Sequence, residues 1–174
     1  ILFDNSGRDF VVTITGYEKD SVSFHIDDVL TNNVSPKKKM YLFASIVKKD
    51  TFEWIAQKAT ELGVSHIVPI LSERSEKKNL NIERLQKIII EAAEQSGRAT
   101  LPVLHDITTL EDCLATYGEV NSIAWHIDAQ KFVSQDLIEA TGVYIGPEGG
   151  WSDRELDLFK SKGIKIYSLG PQVL

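Results

Sequence analysis

The chain has 174 residues, of which 43% are hydrophobic; 19 Lys and Arg stand against 25 Asp and Glu, for a net charge of −6. This suggests one domain, or one domain plus a fragment, of an ordinary globular protein. It excludes a membrane helix, for which no apolar run approaches the ~20 residues needed, and shows no signal peptide.

Residues 1–30 read as β structure. Phe10–Thr15 and Ser21–Ile26 are β-branched and partly alternating, with Glu18-Lys19-Asp20 as the turn between them. Thr31 to Pro36 is polar and ends in proline, as a linker does. The pattern then changes. Met40–Val47 is a continuous apolar run, expected of a buried parallel strand. Asp50 or Thr51 is expected to cap a helix with Phe52, Ile55, Ala56, Ala59 and Leu62 at helical spacing, ended by Gly63. His66–Leu71 is the next strand. Ile82–Ser96 is a second amphipathic helix, closed by Gly97. Asn121–His126 and Val143–Ile145 are strands, Asp153 to about Lys162 is a helix, and Lys165–Ser168 is a last strand before Leu169-Gly170-Pro171. Alternating strands and helices predict an α/β layer with a mostly parallel sheet. Trp54, Trp125 and Cys113 read as core and Trp151 as packed on the sheet. Cys113, the only cysteine, agrees with a reducing cytoplasm. The histidines at 25, 66, 105 and 126 lack metal-ligand spacing, so no metal is expected.

The net charge argues against a nucleic-acid partner, but its distribution does not. Lys37, Lys38, Lys39, Lys48 and Lys49 form a stretch with no acid among them. Arg74, Lys77, Lys78, Arg84 and Lys87 outnumber Glu76 and Glu83, and the acids gather later, from Asp106 through Asp136 and Glu139 to Asp157. One basic, RNA-facing side fits this, and so do lysines that merely solvate strand and helix ends.

Ile145-Gly146-Pro147-Glu148-Gly149-Gly150-Trp151-Ser152 runs from an apolar strand into a helix start. Ser152 and Glu155 have the spacing of a capping box. Glycines at a strand's carboxyl end bare the backbone to a ligand, and in open α/β sheets ligands bind there. A P-loop would need Gly-Lys-Ser/Thr, and a dinucleotide fingerprint a different glycine spacing. A cationic or neutral ligand suits Glu148 better than a pyrophosphate does. The alternative is a tight turn with no ligand.

Five segments occur in order: Lys49–Val64, Glu73-Arg74-Ser75, Glu91-Ala92-Ala93-Glu94-Gln95-Ser96-Gly97-Arg98, Ile145–Gly150 and Leu169-Gly170-Pro171. Together they resemble the bacterial ribosomal RNA small-subunit methyltransferases that modify uridine at N3, the RsmE family of the SPOUT superfamily. The resemblance implies part of an RNA-binding PUA-like β-barrel in residues 1–35. It also implies a SPOUT methyltransferase domain in 36–174, with a mostly parallel α/β sheet and a trefoil knot. Further implications are a homodimer, S-adenosylmethionine as cofactor, and 16S ribosomal RNA or the small ribosomal subunit as partner. His126, Ile145, Gly146, Pro147, Glu148, Gly149, Gly150, Ser168, Leu169, Gly170 and Leu174 are then expected at the cofactor. Arg74, Gln95, Ser96, Arg98, Lys48 and Lys49 are expected at the RNA.

Two departures stand out. Gln172 replaces the family's usual arginine, and an Arg-Thr-Glu-Thr-Ala-like continuation is not in the sequence, so residues are expected to be missing at both ends and the domain to lack its C-terminal end. Arg98, at a helix stop, is the first candidate to stabilise negative charge on the base, and Arg74 the second; each alternatively contacts only phosphate. Glu148 either helps remove the N3 proton or holds the sulfonium charge; alternatively it is a structural carboxylate accepting backbone N–H groups. Two rival readings are an RNA-binding module with a vestigial site, and a nucleotide-binding oxidoreductase or kinase-like enzyme, which the absent fingerprints count against.

Overall fold

A computed structural model describes residues 1–34, 38–132 and 141–170. Ser35, Pro36, Lys37, Asp136, Glu139, Pro171, Gln172 and Leu174, each part of an expectation above, lie outside the described residues.

The β-branched start of the chain pairs with itself. β1 (Leu2–Phe3), β2 (Arg8–Tyr17) and β3 (Val22–Thr31) form an antiparallel sheet in that order. Both long strands exceed the expected lengths. Every residue of β3 is exposed, including Val22, Phe24, Ile26, Val29 and Leu30. The sheet is tied to the rest of the chain at its base. Asn32 Nδ2 donates to Asp9 at 2.8 Å and to the Gly97 carbonyl at 2.9 Å, and Asn5 Oδ1 accepts from the Leu101 N–H at 2.6 Å.

From Tyr41 onward strands and helices alternate: β4 (Tyr41–Ser45), α1 (Lys49–Glu61), β5 (His66–Leu71), α2 (Ile82–Ser96), β6 (Val103–Leu104), β7 (Thr108–Thr109), α3 (Leu110–Thr116), β8 (Ser122–Lys131), β9 (Gly142–Ile145), α4 (Asp153–Ser161) and β10 (Lys165–Ser168). The strands form one sheet in the order β10-β8-β9-β4-β5-β6, with β7 also on β5, and every pairing is parallel. This bears out the expected α/β class. Successive side chains of a strand point to opposite faces, so β4 feeds both cores. Leu42 and Ala44 pack with Phe52, Ala56, Leu85 and Ile89 beneath α1 and α2. Phe43 packs with Cys113, Leu114, Trp151 and Phe159 beneath α3 and α4. Both faces are covered, as a parallel sheet requires.

Three local expectations change. α1 begins at Lys49, and its cap, Lys48, makes no side-chain capping bond; Asp50 lies inside the first turn. Trp54 is 60% exposed rather than in the core. The buried stripe of α1 is Phe52, Ala56, Ala59 and Thr60, and a residue two beyond Phe52 lies on the far side of a helix. α3 was not expected. Leu110, Cys113 and Leu114 have helical spacing, and Thr109 caps the helix by accepting from the Asp112 N–H, but seven residues give too little periodicity to read.

Candidate active site at the carboxyl edge of the sheet

Three adjacent strands, β10, β8 and β9, end side by side. Pairing of β8 with β9 stops at Trp125 and Ile145, so His126–Lys131 of β8 runs on beside Gly146–Gly150 and Ser168–Gly170, and three segments separated in sequence meet at one edge. The chain steps to β5 on one side of β4 and later places β9 on the other. That reversal marks the crevice where open α/β sheets take ligands.

The glycines of the central loop permit close approach. A Cβ on Gly146 would lie 3.2 Å from Trp151 Nε1, tighter than ordinary contact. That indole is buried and donates to the Trp125 carbonyl at 3.1 Å, so it is not free to move aside. Gly150 takes φ +67°, and a Cβ there would sit 3.8 Å from the His126 ring, which brings the loops of β8 and β9 into contact. β8 is itself irregular. It pairs with β10 through Ala124 and resumes at Gln130 after a shift of register, so the strand does not end at His126 as expected. Ser168 is buried and its hydroxyl accepts from the Gly170 N–H at 3.2 Å; Leu169 is 65% exposed.

Arg74 joins this group from the end of β5. Its Nη1 donates to the Gly149 carbonyl at 2.8 Å, and its stem lies over Gly149, where a Cβ would meet Arg74 Cβ at 3.4 Å. Lys48 and Lys49 are exposed at the same edge, because α1 starts where β4 ends beside β9. Two lysines at an uncapped helix start oppose the helix dipole. Lys49 lies 3.9 Å from the Glu53 carboxylate one turn on, and an exposed pair of this kind contributes little.

Arg98 is elsewhere. α2 runs back to the opposite edge of the sheet, where β6 pairs through Val103 with the first residue of β5. There Arg98 is 4% exposed and donates through Nη1 to the carbonyls of Thr60 at 2.7 Å and Val64 at 3.0 Å. It supplies a donor to the Val64 carbonyl just past α1 and a second one to Thr60, whose carbonyl also accepts from the Gly63 N–H at 3.1 Å. Burial pulls its pKa below the ordinary arginine value. In this chain the arginine at the glycine-rich loop is Arg74, not Arg98.

Ser96 is also occupied locally, donating to the Ala92 carbonyl at 2.7 Å. Gln95 lines a groove of about 640 Å³ with Trp54, Asp50, Glu53, Glu61, Glu91 and Glu94. Those carboxylates make a poor surface for a phosphate backbone. Glu148 is exposed. The carboxylate that accepts backbone N–H groups beside the loop is Glu155, which is 3% exposed. It closes the expected capping box, accepting from the Ser152 N–H at 2.8 Å. It also accepts from the Glu73 N–H at 2.9 Å. Only the first of these two contacts was legible from the spacing of Ser152 and Glu155. Arg154 extends the tie, bonding Glu73 at 2.5 Å and also Glu111. A hydrogen bond from Ser152, and then Arg154, hold the Glu73 carboxyl below its usual range.

This parallel sheet with a glycine-rich crevice at its carboxyl edge belongs to the RNA methyltransferase domain family, whose model matches residues 34–174. Among curated relatives, the ribosomal RNA small subunit methyltransferase E of Aquifex aeolicus is 31% identical over 175 residues, spanning 98% of this chain and 76% of that protein. The enzyme of the same name from Rickettsia conorii is 29% identical, spanning 99% of this chain and 73% of that protein. Among solved structures, the ribosomal RNA small subunit methyltransferase E of Neisseria gonorrhoeae, bound to S-adenosyl methionine, superposes with a TM-score of 0.88 at 30% identity; the match covers 99% of this chain and 74% of that one. A putative methyltransferase of Legionella pneumophila with bound SAM gives the same TM-score at 31% identity and the same coverage.

Proposed function

We propose that this chain transfers a methyl group from S-adenosylmethionine to N3 of a uridine in 16S ribosomal RNA. One observation carries the reading: Arg74 is bonded to Gly149 in a glycine-rich crevice where three strand ends meet. The crevice suits this cofactor. Bare backbone groups of Ile145–Gly150 can hold an adenine and a ribose, and Glu148 tolerates a sulfonium where it would repel a pyrophosphate. His126 and the Ser168–Gly170 segment form its other walls.

S-adenosylmethionine supplies an electrophilic methyl on its sulfonium. Uridine N3 must lose its proton before it can attack. Arg74 stabilises the negative charge that develops on the base. Lys48 and Lys49 hold phosphates and set the register of the RNA. Fixing base and methyl in line contributes up to about 7–11 kcal/mol of barrier reduction in the best cases.

The remaining assignments belong to the same reading. The sheet of β1–β3 is part of a PUA-like barrel, supported by the exposed apolar side chains of β3. The carboxyl edge is knotted, the protein works as a homodimer, and it acts in the cytoplasm. Among the described residues no helix is long and apolar enough to cross a membrane.

Calorimetric titration tests the cofactor assignment. S-adenosylmethionine is expected to bind and NAD and ATP are not. RNA binding without any S-adenosylmethionine binding would leave an RNA-binding module instead.

A further inference from the structure

We infer that Glu155 is a positioning residue for Arg74. This rests on the reading that Arg74 works at the methyl-transfer site.

A capping box needs one carboxylate oxygen from Glu155, and Oε2 supplies it by accepting from the Ser152 N–H. The second oxygen, Oε1, does something the helix does not require. It accepts from the Glu73 N–H at 2.9 Å, a residue 82 positions away in the chain. Glu155 therefore joins two segments: the start of α4, which follows Gly150 and Trp151 directly, and the loop after β5. Both segments meet again one step further on, where Arg74 donates to Gly149. Fixing the backbone N–H of Glu73 leaves few rotatable bonds between the anchor and the Arg74 side chain. At 3% exposure the carboxylate has little water to compete for its lone pairs. An anchored backbone is how a long, flexible arginine is preorganised before substrate arrives.

The test is a double-mutant cycle on methyl transfer to small-subunit RNA, with Arg74→Ala, Glu155→Gln and the pair. Glutamine keeps one acceptor oxygen and turns an NH2 toward the other donor, so one of the two contacts is lost. Glu155→Gln is expected to lower kcat/KM about tenfold while changing S-adenosylmethionine affinity less than threefold. In the Arg74→Ala background it is expected to have no further effect. Effects that multiply in the double variant would overturn the inference. If Arg74→Ala alone leaves transfer unchanged, the reading of Arg74 fails instead, and the inference with it.

Ser152→Ala serves as a control: it removes the cap, and with it the hydrogen bond from Ser152 to the Glu73 carboxyl, but keeps the bond from the Glu73 N–H to Glu155, so it should lower the melting temperature and leave kcat/KM alone. A drop in kcat/KM matching that of Glu155→Gln would make the effect one of helix stability and overturn the inference. If Glu155→Gln does not fold, Glu155→Asp takes its place. It keeps a charge at the helix start but is one methylene too short to span both donors, and the same loss of effect in the Arg74→Ala background is required of it.

Discussion

Arg74 and Gly149 are 75 residues apart in sequence, yet the guanidinium of one is bonded to the carbonyl of the other at 2.8 Å. That contact joins the basic end of β5 to the glycine-rich end of β9, on either side of β4. It gives an acidic chain a cationic residue at its crevice, on the edge of the sheet that also carries the exposed Lys48 and Lys49.

Gly146 is expected to tolerate no side chain. A Cβ would press on a Trp151 indole held by the Trp125 carbonyl, so Gly146→Ala must displace the tryptophan or the loop. S-adenosylmethionine affinity is expected to fall at least tenfold, about 1.4 kcal/mol, in a protein that still melts cooperatively. Unchanged affinity by calorimetry would remove the loop from the site.

Arg98 is expected to act on stability. Arg98→Met removes a donor from the Thr60 and Val64 carbonyls; Thr60 still accepts from the Gly63 N–H at 3.1 Å, so the cost is about 1–3 kcal/mol for the Val64 carbonyl left unsatisfied. For a chain of this size each kcal/mol lowers the melting temperature by about 2–4 °C. A variant that melts like the parent yet transfers no methyl would return Arg98 to a catalytic role.

A pair of histidines predicts an acid-sensitive fold. His66 Nδ1 and His105 Nε2 are 3.1 Å apart, and Tyr117 Oη is 3.0 Å from His105 Nδ1. Burial lowers both histidine pKa values; His105 and Lys39 add to the effect at His66, while Asp106 opposes it at His105. The unfolded chain therefore binds more protons than the folded one once pH drops below about 6.5, and stability falls from there. Urea denaturation between pH 7.5 and 5 should show that slope, and His105→Gln should flatten it. Equal slopes would exclude the pair as its source.

Cys113 should be inert in the native protein. It is fully buried beside Tyr144, and burial pushes its thiol up to about 12. Thiol reagent at pH 8 should label it only in denaturant. Prompt labelling of the folded protein would show that the core beneath α3 opens readily.

The sequence was legible where one residue sets one local geometry. α2 runs from Ile82 to Ser96 as its spacing predicts, with Asn81 capping it and Gly97 in the left-handed region. Ser152 and Glu155 form the expected box. What was not legible depends on partners far along the chain. Trp54 is a different case: helical spacing already sets it two beyond Phe52, away from the buried stripe. Arg98 sits at a helix stop, which suggests exposure, but α2 delivers it under the end of α1, where it donates to the Thr60 and Val64 carbonyls. The bond from Glu155 to Glu73 has no sequence signature, because it needs the start of α4 to lie against the loop after β5.

The most direct measurement is nucleoside mass spectrometry of small-subunit ribosomal RNA after incubation with the protein and S-adenosylmethionine carrying a labelled methyl. Labelled 3-methyluridine at one position, lost when Arg74 is replaced by alanine, is the outcome expected of this site. Label on another base or on a ribose hydroxyl, or transfer undiminished by Arg74→Ala, would contradict it.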